Sequence, residues 1–387
     1  MAQSSKRIMI IAGEPSGDFI GAQLMKSLKK KNANITFEGI GGQHMQAEGL
    51  QSIYSIQDLS IMGFFEDFSK YYGVFKKLKF LKKQLIENKP DLLITVDFPG
   101  FNFRLGKMIK GFGIRHIHYV APTVWAWKAW RAKMVAKFLD HLLCIFPFEP
   151  PYFEKENLPT TYVGHPVMEM GFDKGDVKNF YEKYKLDPKS KIITLLPGSR
   201  QSELNTLVPI YRQAVQMLSD KIKNLHIVIP TLDCYRKKLE QQNWACPVTV
   251  ITDFDARKDA YAASKVALAA SGTIALELAA AKLPMIITYK VSKLTEWIVR
   301  PFIKIKYACM VNILMNKNVV PELLQEDCNP QLISQKVLEL LKNPSYQEKA
   351  LQKTRALLTP KNQTPSDLAA ETVLSILYEQ KTEIKRF

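Results

Sequence analysis

The sequence predicts an α/β protein made of two doubly wound, parallel-sheet domains. Short apolar runs of strand character alternate with longer helix-like segments, which is the pattern of a parallel sheet covered by helices on both faces. The alternation runs from Ile8 to about residue 164, lapses, and begins again at Ile192. A chain of 387 residues is long enough for two domains of ordinary size, each burying its own core.

In the first series Ile8–Ala12 leads through a Gly/Pro/Ser loop into a helix-like Phe19–Lys30. Leu92–Val96 leads through a second loop into Phe103–Lys110, and Arg115–Val120 and His141–Ile145 follow. The second series holds Ile192–Leu196, the helix-like Ser202–Leu218, Leu225–Ile229, Val248–Ile251, Val266–Ala270 and Met285–Tyr289. Between them, Gly164–Ser190 is polar and lysine-rich, with Gly171, Gly175 and Pro188 but no strand-like core. The expected organisation is domain 1–170, linker 171–190, domain 191–345 and helices 346–387, the last packing back on the first domain or on a partner subunit.

The net charge of +17 points to an anionic partner: nucleic acid, a membrane surface or a phosphorylated substrate. Five cysteines, odd in number and without a C-x-x-C pair, argue against a disulfide framework and a zinc site and fit a reducing cytoplasm. The first apolar run is too short for a signal peptide, and Val266–Tyr289 is broken by Glu277, Lys282 and Pro284, so any membrane contact is expected to be peripheral. His116 and His118 alternate on one strand without a Cys or clustered acid nearby, which gives little support for a metal. No G-x-S-x-G elbow, Walker A loop or G-x-G-x-x-G is present.

Ligands of open parallel sheets sit at the carboxyl ends of the strands, so the loops there carry the search. Pro197-Gly198-Ser199-Arg200 joins an apolar run to a helix start. A helix N-terminus offers unpaired N–H groups and partial positive charge, and a guanidinium grips two phosphate oxygens at once. Ser271-Gly272-Thr273 repeats the strand–turn–helix form, and Glu277, one turn on, fits either a ribose diol or an ordinary first-turn acid. Asn312 is a polar residue in an apolar run.

The loop Gly13-Glu14-Pro15-Ser16-Gly17-Asp18 allows close backbone approach, and Ser16 or Asp18 suits a helix cap, whereas Glu14 has no capping role to explain it. Asp97 in Asp97-Phe98-Pro99-Gly100-Phe101-Asn102 ends a buried-looking strand, where it fits a general base or an Asx turn. From Phe98 to Leu139 no acid relieves Arg104, Lys107, Lys110, Arg115, Lys128, Arg131, Lys133 and Lys137, and Trp125, Trp127 and Trp130 lie among them. Phe64, Phe68, Tyr71, Phe75 and Leu78 recur at helical spacing beside lysines 70, 76, 77, 79, 82 and 83. That face fits a core helix or an interfacial one held by anionic lipid.

Together AGEPSGD, GIGGQHMQAEG, LSIMGFFE, VDFPGFN, VWAWK, FPFE, YVGHP, LLPGSRQSE, SGTIALE, NILMN and ELLQEDC, in order from residue 12 to residue 328, resemble the lipid-A-disaccharide synthases. LPGSR is shared by several nucleotide-sugar enzymes, while VWAW combined with AGEPSGD is more specific. The resemblance implies a GT-B fold, two Rossmann-like domains facing a central cleft. It implies an inverting transfer from UDP-2,3-diacylglucosamine to 2,3-diacylglucosamine 1-phosphate that makes a β-1′,6 linkage and releases UDP. It further implies no cofactor or metal ion, a site of action at the cytoplasmic face of the inner membrane of Gram-negative bacteria, and, in some members, a homodimer.

Position by position, Asp97 matches the family's essential acid and Arg200 its phosphate-binding arginine. Glu14, Ser16, Gly17, Asn102 and Trp125 fall on the acceptor side. Gly198, Ser199, Ser271, Gly272, Thr273, Glu277, Asn312 and Gln325 fall on the UDP side. Three positions depart from the pattern: Lys128 replaces an arginine, Val311 a proline and Pro15 a smaller residue. The rival readings are another UDP-sugar transferase, a UDP-sugar 2-epimerase and a nucleic-acid-binding protein. Two paired phosphate loops bind one small anion but make no nucleic-acid groove, so nucleic acid is not expected as a partner.

Overall fold

A computed structural model describes residues 5–56, 59, 68–126, 128–270, 272–291 and 306–379, with backbone alone for 68–72. The chain forms two compact units, residues 1–166 with 358–387 and residues 167–357. The strands of the first are β1 (Lys6–Ala12), β2 (Ile35–Ile40), β3 (Gln51–Ser52), β4 (Leu92–Val96), β5 (His116–Tyr119), β6 (His141–Cys144) and β7 (Thr160–Tyr162). Those of the second are β8 (Lys191–Leu196), β9 (Leu225–Pro230), β10 (Val248–Ile251), β11 (Ser264–Ala270), β12 (Met285–Tyr289) and β13 (Glu322–Leu324).

Both sheets are parallel and share one winding, β3-β2-β1-β4-β5-β6-β7 in the first and β10-β9-β8-β11-β12-β13 in the second. The strand order reverses between β1 and β4 and again between β8 and β11. Helices leave in opposite directions at such a point, which opens a crevice beyond the strand ends. The central strands are buried on both faces: Ile8–Ala12 and Leu92–Leu93 are fully enclosed, as are Leu195, Ile227 and Leu268.

The stretch expected as a linker is folded into the second unit. Helix Val177–Lys183 buries Phe180 against Ile192, Val228 and Ala260, and the buried Phe172 packs on Phe254 and Tyr261. Its lysines and glycines disguised a core built from only a few aromatic residues. The C-terminal helices divide between the units. Helix Ser345–Leu358 belongs to the second, where the Gln347 side chain bonds the backbone of Met285 on β12. Helix Pro365–Tyr378 lies on helix Pro15–Lys31, with Ser27 bonded to Ser366 and Lys31 paired with Glu371. Arg115, counted among the unrelieved charges, donates to the carbonyls of Ile376 and Glu379.

Helix Phe68–Asn88 corrects the expected aromatic face. Leu78, Leu81 and Leu85 are buried, whereas Phe75 and Phe80 are exposed. Leu78 therefore faces the core, and Phe75 points away from it. Phe64 and Phe65, like the side chains of Phe68, Tyr71 and Tyr72, lie outside the described residues.

Val373, fully buried where the C-terminal helix packs, offers a test. Val373→Asp puts an unpaired charge there and should destabilise the chain by about 3 kcal/mol or more in urea unfolding.

Candidate active site

In the first unit, β1 and β4 run side by side with Ala12 opposite Val96, so the chain leaves both at one level of the reversal point. After β4, Asp97 and Phe98 both take left-handed backbone angles, φ 48° and 51°. Such a conformation costs a non-glycine residue about 1–3 kcal/mol and persists only where neighbours impose it. Here the buried Asn102 imposes it: Nδ2 donates to the carbonyls of Asp97 at 2.7 Å and Val96 at 3.3 Å. The amide of Asp97 donates to Tyr119 of β5 at 2.9 Å, and the ring of Phe98 stacks on Phe101. Gly13 makes room, since a Cβ there would lie 2.2 Å from the Phe98 ring. Asn102, expected as an acceptor contact, instead builds the turn that carries Asp97.

The Asp97 carboxyl is partly buried, and burial raises its pKa against the lowering effect of the Phe98 backbone N–H. Glu14 is raised too, first by burial and then by the charge of Asp97. Two carboxyl groups thus share one electrostatic field at the ends of neighbouring strands, an arrangement suited to taking a proton from a bound hydroxyl.

Glu14 occupies the N-cap position of helix Pro15–Lys31 without a side-chain capping bond, and Ser16 is exposed in the first turn. Asp18 does not cap its own helix. It accepts from the backbone N–H groups of Gly42, His44 and Met45 at 2.7, 3.0 and 3.1 Å, and so caps helix Gln43–Ala47. Gly17 packs closely on Val96, where a Cβ would lie 3.4 Å from the carbonyl oxygen. Trp125 stands edge-on to Phe148, beside a buried Glu149 that accepts from Ile145 and Phe146. Burial pushes Glu149 up to about 8 against those backbone N–H groups. Trp127 lies outside the described residues. His116 and His118 are buried within the sheet and both bond the Thr95 hydroxyl, and burial lowers both to about 3.

In the second unit, the loops after β8 and β11 line one cavity of about 380 Å³, with Arg200, Gly272, Thr273 and Glu277 on its wall. Two larger cavities lie towards the opposite, N-terminal strand ends, near Asn224 and Pro284. Gly198 has φ 107°, and a Cβ there would meet Glu203 Oε2 at 2.2 Å. Glu203 reaches back to accept from the amides of Ser199 and Arg200 at 3.0 and 3.1 Å, which fixes the loop ahead of helix Gln201–Ser219. Three residues into the helix is the acidic position of a capping box, but its N-cap is Arg200 rather than Ser or Thr, so the usual sequence signature is missing. Arg200 itself is largely exposed, 3.6 Å from Glu203, an ion pair weak enough to yield to a ligand. Ser271 lies outside the described residues.

Glu277 is engaged by two residues of helix Phe254–Ala263, Arg257 at 3.2 Å and Tyr261 at 3.4 Å. Burial raises its carboxyl, and Arg257 opposes the rise. Asn312 and Gln325 do not line this cavity. Asn312 is fully buried: Oδ1 accepts from Val319 and Val320, while Nδ2 donates to Val320 and Glu322. Gln325 accepts from the amide of Val291 at 2.9 Å. Both expected nucleotide contacts brace backbone here; for Asn312, a lone amide in an apolar run, buried N–H and C=O groups are the partners at hand.

The sequence matches the family described as lipid-A-disaccharide synthetase over residues 8–376. The chain belongs to that family. It is 41% identical over 379 residues to the lipid-A-disaccharide synthase of Rhodospirillum centenum, covering 96% of this chain and 94% of the relative. It is 33% identical to that of Coxiella burnetii, covering 97% and 98%. The family makes the chain a glycosyltransferase of lipid A biosynthesis. Its fold is that of the calicheamicin glycosyltransferase CalG4, TM-score 0.65 over 98% of this chain and all of that one, at 12% identity. It is equally that of a UDP-GlcNAc 2-epimerase from Neisseria meningitidis, TM-score 0.63 over 97% and 100%, at 14% identity. Fold therefore does not separate transferase from epimerase, whereas the family membership does.

The raised Asp97 pKa means that the folded chain holds a proton the unfolded chain has already released, so stability is lost as pH rises through that interval. Asp97→Asn removes this penalty. The variant should melt above wild type at pH 8, with the difference closing below about pH 4, near the ordinary aspartate pKa, in paired calorimetric scans.

Proposed function

We propose that the enzyme joins UDP-2,3-diacylglucosamine to 2,3-diacylglucosamine 1-phosphate, with Asp97 as the base and Arg200 as the main diphosphate contact. The carrying observation is that Arg200, Gly272 and Glu277 share one cavity at the β8/β11 reversal, while Asp97 ends β4 at the β1/β4 reversal. The acceptor 6-hydroxyl oxygen attacks C1 of the donor sugar, and its proton passes to Asp97. The new O–C1 bond forms as the C1–oxygen bond to UDP breaks on the opposite face, which inverts the anomeric centre. UDP leaves with the bonding pair, and its charge is stabilised by the Arg200 guanidinium and the N-terminus of helix Gln201–Ser219. Burial raises the proton affinity of Asp97, and its charge in turn raises that of Glu14 at the adjoining strand end. Glu277 accepts from the ribose diol.

Asp97→Asn should lower transfer about a thousandfold, in the range of a lost general base, with UDP affinity unchanged. Arg200→Ala should weaken UDP binding about tenfold in calorimetry. Unaltered turnover in the first variant, or unaltered affinity in the second, would reject that assignment.

Both substrates carry acyl chains, and we read helix Phe68–Asn88 as a contact with the anionic inner-membrane surface. Phe75 and Phe80 are 50% and 39% exposed, Phe112 is 45% exposed, and Lys79 and Lys82 lie over the Phe75 and Phe112 rings. Among the described residues no helix is long and apolar enough to cross a membrane. Phe75→Ser with Phe80→Ser should reduce sedimentation with anionic vesicles severalfold at unchanged melting temperature, and equal sedimentation would exclude this face.

A further inference from the structure

The wall of the nucleotide cavity carries polar groups that the protein itself leaves unmatched. Thr231, directly after β9, is 7% exposed, and its hydroxyl has no hydrogen-bond partner. Arg257 spends Nη1 on Glu277 and sets its guanidinium over the Phe254 ring, 5.2 Å from the centroid, yet its buried Nε is unpartnered. Folded proteins leave few buried polar atoms unmatched, and two on one cavity wall point to a ligand that supplies the missing oxygens. Glu277, with a side chain 17% exposed, offers both oxygens as acceptors to a diol when ionised, and the adjoining guanidinium favours that form.

We propose that Arg257 is a positioning residue that holds Glu277 as an acceptor for the ribose of the bound nucleotide, and that Thr231 supplies a hydroxyl to the same ligand. The inference rests on the nucleotide reading of this cavity. The planar fork matters: one arm fixes the carboxylate while Nε stays available, a division an ammonium cannot make.

The test is calorimetric titration of the full chain with UDP and with 2′-deoxy-UDP. Wild type should prefer UDP by about tenfold or more, the expected effect of one hydrogen bond to a charged acceptor. Arg257→Met should reduce that preference below about threefold, and Arg257→Lys, which keeps the ion pair, should restore part of it. Equal weakening of both nucleotides by Arg257→Met, or a wild type that does not discriminate, would overturn the proposal, since a merely structural role leaves the ratio unchanged. Should Arg257→Met fail to fold, Thr231→Val decides: a UDP affinity lowered about fivefold supports the cluster, and an unchanged one refutes it. Absence of UDP binding by wild type would refute the nucleotide reading itself.

Discussion

The first unit depends on a turn that its own residues would not choose. Asp97 and Phe98 sit in the left-handed region consecutively, and the strain is held by an amide buried one turn into the following helix. Asn102 is suited to this because two carbonyls need a donor, and its uncharged amide nitrogen carries two N–H groups. Gly13 on the neighbouring strand vacates the space that the Phe98 ring fills. The result is a carboxylate lifted out of the strand line and set beside Glu14, partly desolvated and hungry for a proton.

The second unit solves a different problem with the same winding. Its loop after β8 is braced from within by Glu203, so the guanidinium of Arg200 stays exposed while its backbone is fixed. A weak, solvent-facing ion pair is easily exchanged for a diphosphate, whose charge suits Arg200 better than one carboxylate does. Deeper in the cavity the polarity reverses: Glu277 is held by Arg257 and Tyr261, a setting for neutral hydroxyl groups rather than phosphate oxygens. On the proposed reading, Arg200 meets the diphosphate and Glu277 the ribose of one nucleoside diphosphate.

Much of this was legible in the sequence. The central strands announce themselves because parallel strands buried on both faces are continuous apolar runs, and the loops and helix starts after them carry Glu14, Asp97, Arg200 and Glu277. Of the edge strands only Val248–Ile251 was legible, as an apolar run. Gln51–Ser52, Thr160–Tyr162 and Glu322–Leu324 are only two or three residues long, so neither length nor periodicity marks them. Asp18 was misread as a local cap because its partners, Gly42 to Met45, are distant in sequence. Arg257, between Ala256 and Lys258, carries no signal in the sequence, and only the fold brings it to Glu277. Asn312 carried a resemblance to a ligand contact, yet its surroundings supply backbone partners for both ends of its amide.

The measurement that bears most directly on the account is analysis of the product made from the two acylated sugars. Incubating the protein with UDP-2,3-diacylglucosamine and 2,3-diacylglucosamine 1-phosphate should yield UDP and a tetraacylated disaccharide 1-phosphate of the corresponding mass, β-1′,6-linked by NMR. Turnover of plain UDP-N-acetylglucosamine to its epimer, with no disaccharide formed from the acylated pair, would contradict it.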